Sequence, residues 1–363
     1  MRILYDGGIV QDQSVGGINR YFANLIRRLP ADFEPHFTTC RRSFELEPRH
    51  PRLRVHRFPR FRPQRVSVRL EKVFFGRAQD SHEYDLAHPT YYSLLSQREI
   101  RDYRCPTVIT VWDMIHELFP DLKPPDGFIA LKRRAIERAD AVLCISENTK
   151  RDLIALYNVD EHKIWVTHLA SDLETSQLQG DEPIPSKPYF LYVGARGGYK
   201  NFSGLLSAFA NAVSLAPGVM LYAVGAPFSD AESREIAQLG LSGRVENHGR
   251  VLDERLAALY RRSIAFVYPS LYEGFGIPPL EAMQCGTPVV AANRSSIPEV
   301  VGEAGVLFDP ERPEELTEIL VALASDETLR ESLITRGHQR VQQFSWNTTA
   351  EKTVEVYRTL VSR

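Results

Sequence analysis

Two α/β domains, each built round a parallel sheet, are predicted by three features of this 363-residue sequence. Short apolar runs alternate with amphipathic helical patterns along the chain, the order that yields strand, helix, strand units. The length exceeds the roughly 250–300 residues at which single cores give way to separate domains. A polar stretch punctuated by glycine and proline, SDLETSQLQGDEPIPSKP from Ser171 to Pro188, interrupts the alternation and reads as a linker.

The first series opens with ILYD and a loop carrying Gly7, Gly8, Gly16 and Gly17. Ile18, Tyr21, Phe22, Leu25, Ile26 and Leu29 then recur at helical spacing, so one face of that helix is buried. YDLAHP, TVITVWDM, AVLCIS and KIWVTHL predict further strands, with a helix from about Gly127 to Ala139. The second series starts at YFLYVG and continues through VMLYAVG, RVENHG, IAFVYP, TPVVAA and GVLF. FSWNTTAEKTVEVYRTLV predicts a final helix capped near Ser345 or Asn347. The expected division is therefore a domain over 1–170, a linker over 171–188 and a domain over 189–346, followed by the helix 347–363.

A net charge of -2 and a hydrophobic fraction of 43% exclude a disordered or generally nucleic-acid-binding chain. Cys40, Cys105, Cys144 and Cys285 are scattered, three of them in or beside apolar runs, and read as buried thiols of a reducing compartment. No apolar run approaches the roughly 20 residues that span a bilayer. MRILYDGG reads as a strand and turn rather than a signal peptide, so a cytoplasmic protein is expected. Charge is uneven along the chain. Between Arg41 and Arg77, twelve Arg and Lys residues accompany three Glu, with Phe58, Phe61, Val66, Val68, Leu70, Val73, Phe74 and Phe75 interleaved. Such a stretch suits peripheral contact with an anionic membrane, and it equally describes a solvated basic face. Nucleic acid is not expected as a partner, because no recognition motif accompanies the charge.

Glu273 and Glu281 bracket Gly274, Phe275, Gly276, Ile277, Pro278 and Pro279. Glycine opens backbone conformations closed to bulkier residues, and proline suits a first helical turn. A flexible loop thus feeds a helix start, where amides attract phosphate and a carboxylate is also favoured. One carboxylate before the loop and one behind it suit a ligand with hydroxyls at both ends and phosphate between, as in a nucleotide sugar. An acidic loop followed by an ordinary first-turn glutamate gives the same spacing. Open parallel sheets bind ligands beyond the carboxyl ends of their strands. That rule singles out Gly194 to Lys200, where Arg196 and Lys200 stand among glycines as a cation pair for a diphosphate. In the first domain it singles out Gly16 and Gly17, Asp113 and His116, and His88, Tyr91 and Tyr92, with Ser146 and Glu147 as weaker candidates. No metal-ligand spacing is evident, so no metal site is predicted.

The segment from Tyr268 to Val301 resembles the signature of glycosyltransferase family four, retaining enzymes of the GT-B fold. FLYVGARGGYKNFSGLLSAF from Phe190 and GGINRYFANLI from Gly16 resemble two further family segments. The resemblance implies two Rossmann-like domains facing an interdomain cleft, with the final helix returning to the first domain. It implies that Arg196 and Lys200 hold the donor pyrophosphate, that the base lies against Arg250 and Val251, and that Glu281 accepts the ribose hydroxyls. Glu273 would then hold the donor sugar, and the amides of Phe275, Gly276 and Ile277 would face sugar and diphosphate. Many members carry a histidine immediately before the aspartate at Asp113. This chain has Trp112 there, so His116 or Asp113 is expected to take part of that role.

The implied activity is retaining transfer of a hexose from a nucleotide-diphosphate sugar to a saccharide or lipid-linked acceptor, without a required cofactor or metal. Uracil read through the backbone near Val251 puts UDP-hexose ahead of GDP-mannose, and both donors fit. A nucleotide-sugar 2-epimerase, which needs no acceptor, and a non-catalytic nucleotide-binding protein are the alternatives on the same scaffold.

Overall fold

The computed structural model describes residues 1–13, 16–173, 185 and 187–362. The chain folds as two units, Met1–Leu169 with Trp346–Arg363, and Ala170–Ser345. Most of the stretch read as a linker lies outside the described residues, but Leu173 is buried in the core of the second unit, and its carbonyl accepts Gln284 Nε2 at 2.8 Å. The second unit therefore begins earlier than the composition of Ser171–Pro188 suggests.

In the first unit, β1 (Arg2–Asp6), β2 (Glu34–Thr39), β3 (Arg54–Arg57) and β4 (Leu86–Ala87) form a parallel sheet in the order β3-β2-β1-β4. Strands β5 (Val108–Val111), β6 (Ala141–Cys144) and β7 (Ile164–Val166) form a second parallel ladder, and a bridge between Ala87 and Thr107 joins the two. YDLAHP yields only a two-residue strand, because beyond Ala87 alternate amides of His88 and Thr90 pair with β1 carbonyls at 2.8 Å outside a regular ladder. Helix Gly17–Arg27 buries Tyr21, Phe22, Leu25 and Ile26, the face its periodicity predicts. Helix Phe128–Arg138 starts after Gly127 at φ +77°, a left-handed turn that favours glycine. The final helix, Trp346–Val361, belongs to this unit: buried Tyr357 sets its hydroxyl 3.3 Å from that of Tyr5.

The second unit holds β8 (Tyr189–Val193), β9 (Met220–Val224), β10 (Val245–Asn247), β11 (Ala265–Tyr268), β12 (Val289–Ala292) and β13 (Val306–Phe308). They form one parallel sheet in the order β10-β9-β8-β11-β12-β13. A parallel sheet covered on both faces needs apolar side chains on both, and β9, β11 and β12 are buried at every position. Leu191, Leu221, Phe266 and Val290 are fully buried, each contributing about 1.5–3 kcal/mol by leaving water. The chain winds outward from β8 to β10, then crosses to β11 and winds the other way. The order therefore reverses between β8 and β11. Only Phe190 and Leu191 of β8 pair with β11, so the two strands part before their carboxyl ends and leave a crevice there.

Candidate active site

The two loops that border this crevice come from the two most informative motifs of the sequence. Beyond β8, Gly194 at φ +132° turns the chain into Ala195–Lys200, and Asn201 leads into helix Phe202–Leu215. Beyond β11, residues 269–276 lead into helix Ile277–Gln284. Gly276, at φ +114°, makes the turn, in a region that side chains disfavour. Pro278 and Pro279 carry no N–H, so the amides available at this helix start are those around Gly276 and Ile277. The Leu271 amide bonds the Tyr199 carbonyl at 2.7 Å and ties one loop to the other.

Across this junction Lys200 Nζ lies 2.7 Å from Glu273 Oε1, both side chains largely buried. Glu273 is held on several sides. Its amide donates to Ser295 Oγ at 2.8 Å, and the Ser296 hydroxyl lies 2.8 Å from the carbonyls of Glu273 and Phe275. Burial pushes the Tyr268 hydroxyl far up, and the Glu273 carboxylate to which it hydrogen-bonds adds to the effect. A neutral phenol therefore accompanies a lysine at this carboxylate. Nothing in the sequence singles out Tyr268, Ser295 or Ser296. Ser296-Ile-Pro-Glu299 has the spacing of a helix capping box, but Ser296 makes no side-chain cap and instead secures the loop.

Arg196 points away from Lys200. The sequence pairs it with Lys200 as a diphosphate clamp, whereas its guanidinium turns toward the loop beyond β9. Nε donates to Glu232 Oε1 at 2.7 Å, Nη2 donates to the Ala226 and Pro227 carbonyls at 2.6 and 2.8 Å, and the group lies 4.9 Å from the Phe228 ring centroid. Its side chain is 4% exposed. Burial alone would raise the Glu232 carboxyl, but Arg196 and Ser229 hold it below the usual carboxylate range. Arg196 thus fastens two loops through Nε and Nη2, its buried Nη1 having no partner among the described residues, while Lys200 points to Glu273 across the crevice.

Glu281 sits one turn into helix Ile277–Gln284, half-buried, with Tyr260 Oη 3.2 Å from its Oε2. Arg250 is exposed, while Val251 packs against the core of the second unit. Between them and β9, the Gly225 amide donates to the Gly249 carbonyl at 2.9 Å. A Cβ on Gly225 would come within 2.5 Å of the Gly194 carbonyl, so the loops beyond β8 and β9 touch backbone to backbone.

Comparison with known proteins gives the same reading from another direction. The family model for glycosyl transferases group 1 matches residues 175–340, and that for glycosyltransferase family 4 matches residues 15–175. An MMP alpha-(1->4)-mannosyltransferase of Mycolicibacterium hassiacum is 30% identical over 83% of this chain and 76% of its own length. The chain belongs to glycosyltransferase family 4. O-antigen chain mannosyltransferase B of Escherichia coli is 28% identical to it over 95% of this chain and 96% of its own length. A sucrose-phosphate synthase from Thermosynechococcus elongatus superposes with a TM-score of 0.78 at 21% identity, covering 99% of each chain. The fold is GT-B, and the chain is a nucleotide-sugar glycosyltransferase.

In the first unit of this family-4 glycosyltransferase, Trp112, Asp113, His116, Tyr91, Ile18 and Lys132 line a cavity of about 60 Å³, room for about two waters. Trp112 stands at the end of β5 with its ring edge-on to Tyr21 at 5.0 Å, and its buried Nε1 has no partner among the described residues. His116 Nδ1 faces the Leu122 carbonyl at 3.2 Å. The Asp113 carboxylate accepts the Ile115 amide at 3.1 Å. Lys132 Nζ reaches the Asp113 carbonyl at 2.7 Å and Glu117 at 3.0 Å, which fixes the strand end from below. Gly16 is in extended backbone that any residue adopts, and a Cβ on Gly17 would meet open space.

Two other first-unit candidates are structural. His88 is fully buried, with Nδ1 2.5 Å from Tyr357 Oη and Nε2 2.9 Å from Thr110 Oγ1, and burial pushes its pKa down to about 3. Ser146 caps helix Glu147–Tyr157 by accepting the Thr149 amide at 3.0 Å. All four cysteines are free thiols, and burial pushes Cys40, Cys105 and Cys285 up to about 12. Among the described residues no group of three or more His, Cys, Asp or Glu is arranged to hold a metal, and no helix is long and apolar enough to cross a membrane.

Proposed function

We propose that this glycosyltransferase transfers a mannosyl group, with retention, from a nucleoside-diphosphate donor to a saccharide or lipid-linked acceptor. The Lys200–Glu273 pair at the reversal point of the second sheet carries the proposal. Lys200 leaves Glu273 for the donor diphosphate, and Glu273 is freed to accept hydroxyls of the sugar. Glu281 receives the ribose hydroxyls, and the backbone at Arg250 and Val251 receives the base.

As the bond from the anomeric carbon to the phosphate oxygen breaks, negative charge grows on the diphosphate, where Lys200 and the amides near Gly276 and Ile277 oppose it. The acceptor hydroxyl attacks the same face, its oxygen bonds to the anomeric carbon, and its proton passes to the departing phosphate oxygen. Retention follows without a carboxylate nucleophile. The charge stabilisation assigned to Lys200 and the amides leaves no required role for a metal. Trp112, Asp113 and His116, which line a cavity of the first unit, are assigned to contacts with a sugar ring. Mannose is favoured over glucose by the names of two relatives, both mannosyltransferases. Peripheral contact with an anionic membrane, where lipid-linked acceptors reside, belongs to the same reading.

Thermal unfolding with GDP-mannose, UDP-glucose and their free nucleotides tests the donor, since a ligand at a hundredfold excess over its Kd stabilises by about 2.7 kcal/mol. GDP-mannose is expected to stabilise more than UDP-glucose and to be consumed only when an acceptor is added, with or without a chelator. A larger shift from UDP-glucose overturns the mannosyl assignment. Isomerisation of donor without acceptor overturns transfer itself.

A further inference from the structure

Helix Gln64–Gln79 is amphipathic in the wrong sense for a helix that only packs on a sheet. Its buried face carries Ser67, Glu71, Phe75, Gly76 and Gln79, while Val66, Leu70, Val73 and Phe74 face solvent. With Phe61 just ahead, these are five of the ten large hydrophobic side chains exposed among the described residues, each 36–49% exposed. At 3.6 residues per turn, positions 66, 70, 73 and 74 fall within an arc of about 100°, a continuous stripe. Arg65, Arg69 and Lys72 run along one edge of it, and Arg62 and Arg77 stand at its two ends, all five exposed.

Most of the other half of the basic stretch is committed elsewhere, and its two exposed members without an ion pair among the described residues, Arg42 and Arg49, lie outside this helix. Arg41 bonds the Val10 carbonyl, Arg52 and Arg54 bind Glu34, and Arg57 binds Glu47. Arg60 forms a two-pronged pair with Glu71 at 2.7 and 2.9 Å. Glu71 is the sole acid from Phe58 to Gln79, and it is 3% exposed. Arg62, Arg65, Arg69, Lys72 and Arg77 form no ion pair among the described residues, so their charge is uncompensated.

We propose that this face docks on an anionic lipid bilayer, its stripe entering the headgroup boundary while the five cations meet lipid phosphates. A nucleic acid would use the cations but leave the stripe in water, and a second copy would bring five like charges against its own. An anionic bilayer satisfies both features at once. The inference rests on the membrane contact proposed above and narrows it from Arg41–Arg77 to Phe61–Arg77.

Co-sedimentation with vesicles of phosphatidylcholine, alone or mixed with phosphatidylglycerol, tests it. The full chain is expected to bind only the mixed vesicles, less tightly as salt rises. Arg62→Glu, Arg65→Glu and Arg69→Glu together should weaken binding about a hundredfold, near the expected contribution of three cations at such a surface. Leu70→Ser, Val73→Ser and Phe74→Ser together should weaken it tenfold or more, with the cations intact. The six positions are exposed, with Phe74 also resting on Phe58 and Phe75, so the glutamate variant should unfold at the parent temperature, the serine variant slightly below it, and both should keep parent transfer to a soluble saccharide acceptor. Loss of transfer in the parent would count against the enzymatic reading and leave the vesicle result standing. The proposal is overturned if the parent ignores the mixed vesicles, or if either triple variant binds them as the parent does. It is equally overturned by duplex DNA binding that matches vesicle binding and ignores the serine changes, or by a lipid-free dimer that those changes dissociate.

Discussion

The residues that follow β8 and β11 in the second unit and those that follow β4 and β5 in the first stand at equivalent places, the carboxyl ends of parallel strands, but they are employed differently. Beyond β4, both ring nitrogens of His88 are spent on Tyr357 and Thr110 inside the core. Beyond β8 and β11, Lys200 and Glu273 hold each other at the edge of the crevice, where a diphosphate and a sugar hydroxyl are proposed to compete for them. Arg196 shows how fine the distinction is, since it lies four residues before Lys200 and has Nε and Nη2 committed to Glu232 and to two carbonyls, with only its buried Nη1 left without a described partner. Position at a strand end nominates a residue. What separates chemistry from structure is whether its polar atoms are already committed to partners that no ligand displaces.

The largest effect expected from this difference is on turnover. Lys200→Ala should lose on the order of 10²-fold or more in kcat, the scale for removing a group that meets charge developing in the transition state. Arg196→Ala should keep turnover within about tenfold and lower stability by about 2 kcal/mol instead. That figure is discounted from the 3–5 kcal/mol typical of breaking a buried pair, because Glu232 is 20% exposed. Initial rates beside thermal unfolding by circular dichroism separate the two. Equal losses of turnover at both positions would restore the cation pair that the sequence suggested and undo the contrast.

A second effect belongs to the first unit alone. His88 takes up its proton near pH 3 in the fold, held there by burial, whereas an unfolded histidine does so near 6.5. Between those values the fold binds fewer protons than the unfolded chain, so stability is full above pH 6.5 and falls as pH drops. From pH 7 to pH 5 the His88 share of that fall is about 2 kcal/mol. His88→Gln cannot charge, so the loss of stability over this interval should shrink by about that amount while turnover at pH 7 persists. Trp112, Trp165 and Trp346 all lie in the first unit, so denaturant titrations read by tryptophan fluorescence report on it directly. An unchanged pH profile would mean that the histidine is not held neutral, and abolished turnover would return it to the active site.

Periodicity suffices for β1, for β4 to β13 and for helix Gly17–Arg27, because those elements are fixed by which side chains leave water, but not for β2 and β3, whose EPHFTT and RVHR carry charged and polar side chains where an apolar run would mark a strand. The loop before helix Ile277–Gln284 was legible for a local reason: a glycine that must adopt φ +114° followed by two prolines leaves few conformations to choose from. The commitments of Arg196 and His88 were not legible. Glu232 and Tyr357 lie 36 and 269 residues away, and nothing in the local pattern says which way a long side chain turns or which hydroxyl it meets. The basic stretch failed in the same manner. Composition grouped Arg41 with Arg77, but folding spent Arg41, Arg52, Arg54, Arg57 and Arg60 on carbonyls and carboxylates and left the helix face bare. Trp112, by contrast, is legible as a departure from the family pattern, and its buried indole N–H has no partner among the described residues.

The smallest effect divides the two glutamates within the second unit. Glu281 faces the side where the ribose is proposed to lie and shares an oxygen with buried Tyr260, so alanine there would strand a phenol as well as remove a ligand group. Glu281→Gln keeps an acceptor for Tyr260 and removes only the charge. Hydroxyls of the ribose are held alike before and during transfer, so the loss should appear in binding of donor and free nucleoside diphosphate, about tenfold, with little change in kcat. Glu273→Gln should do the reverse. Free nucleotide carries no sugar for Glu273 to hold, and Lys200, released from its carboxylate partner, remains available to the diphosphate. Nucleotide affinity should then stay within about twofold while sugar transfer falls sharply. Calorimetry with the nucleoside diphosphate, beside rates with the full donor, distinguishes these patterns. Tighter nucleotide binding in Glu273→Gln would strengthen the view that the ion pair is opened by the diphosphate, whereas lost nucleotide binding there with unchanged binding in Glu281→Gln would mean that the donor lies the other way round.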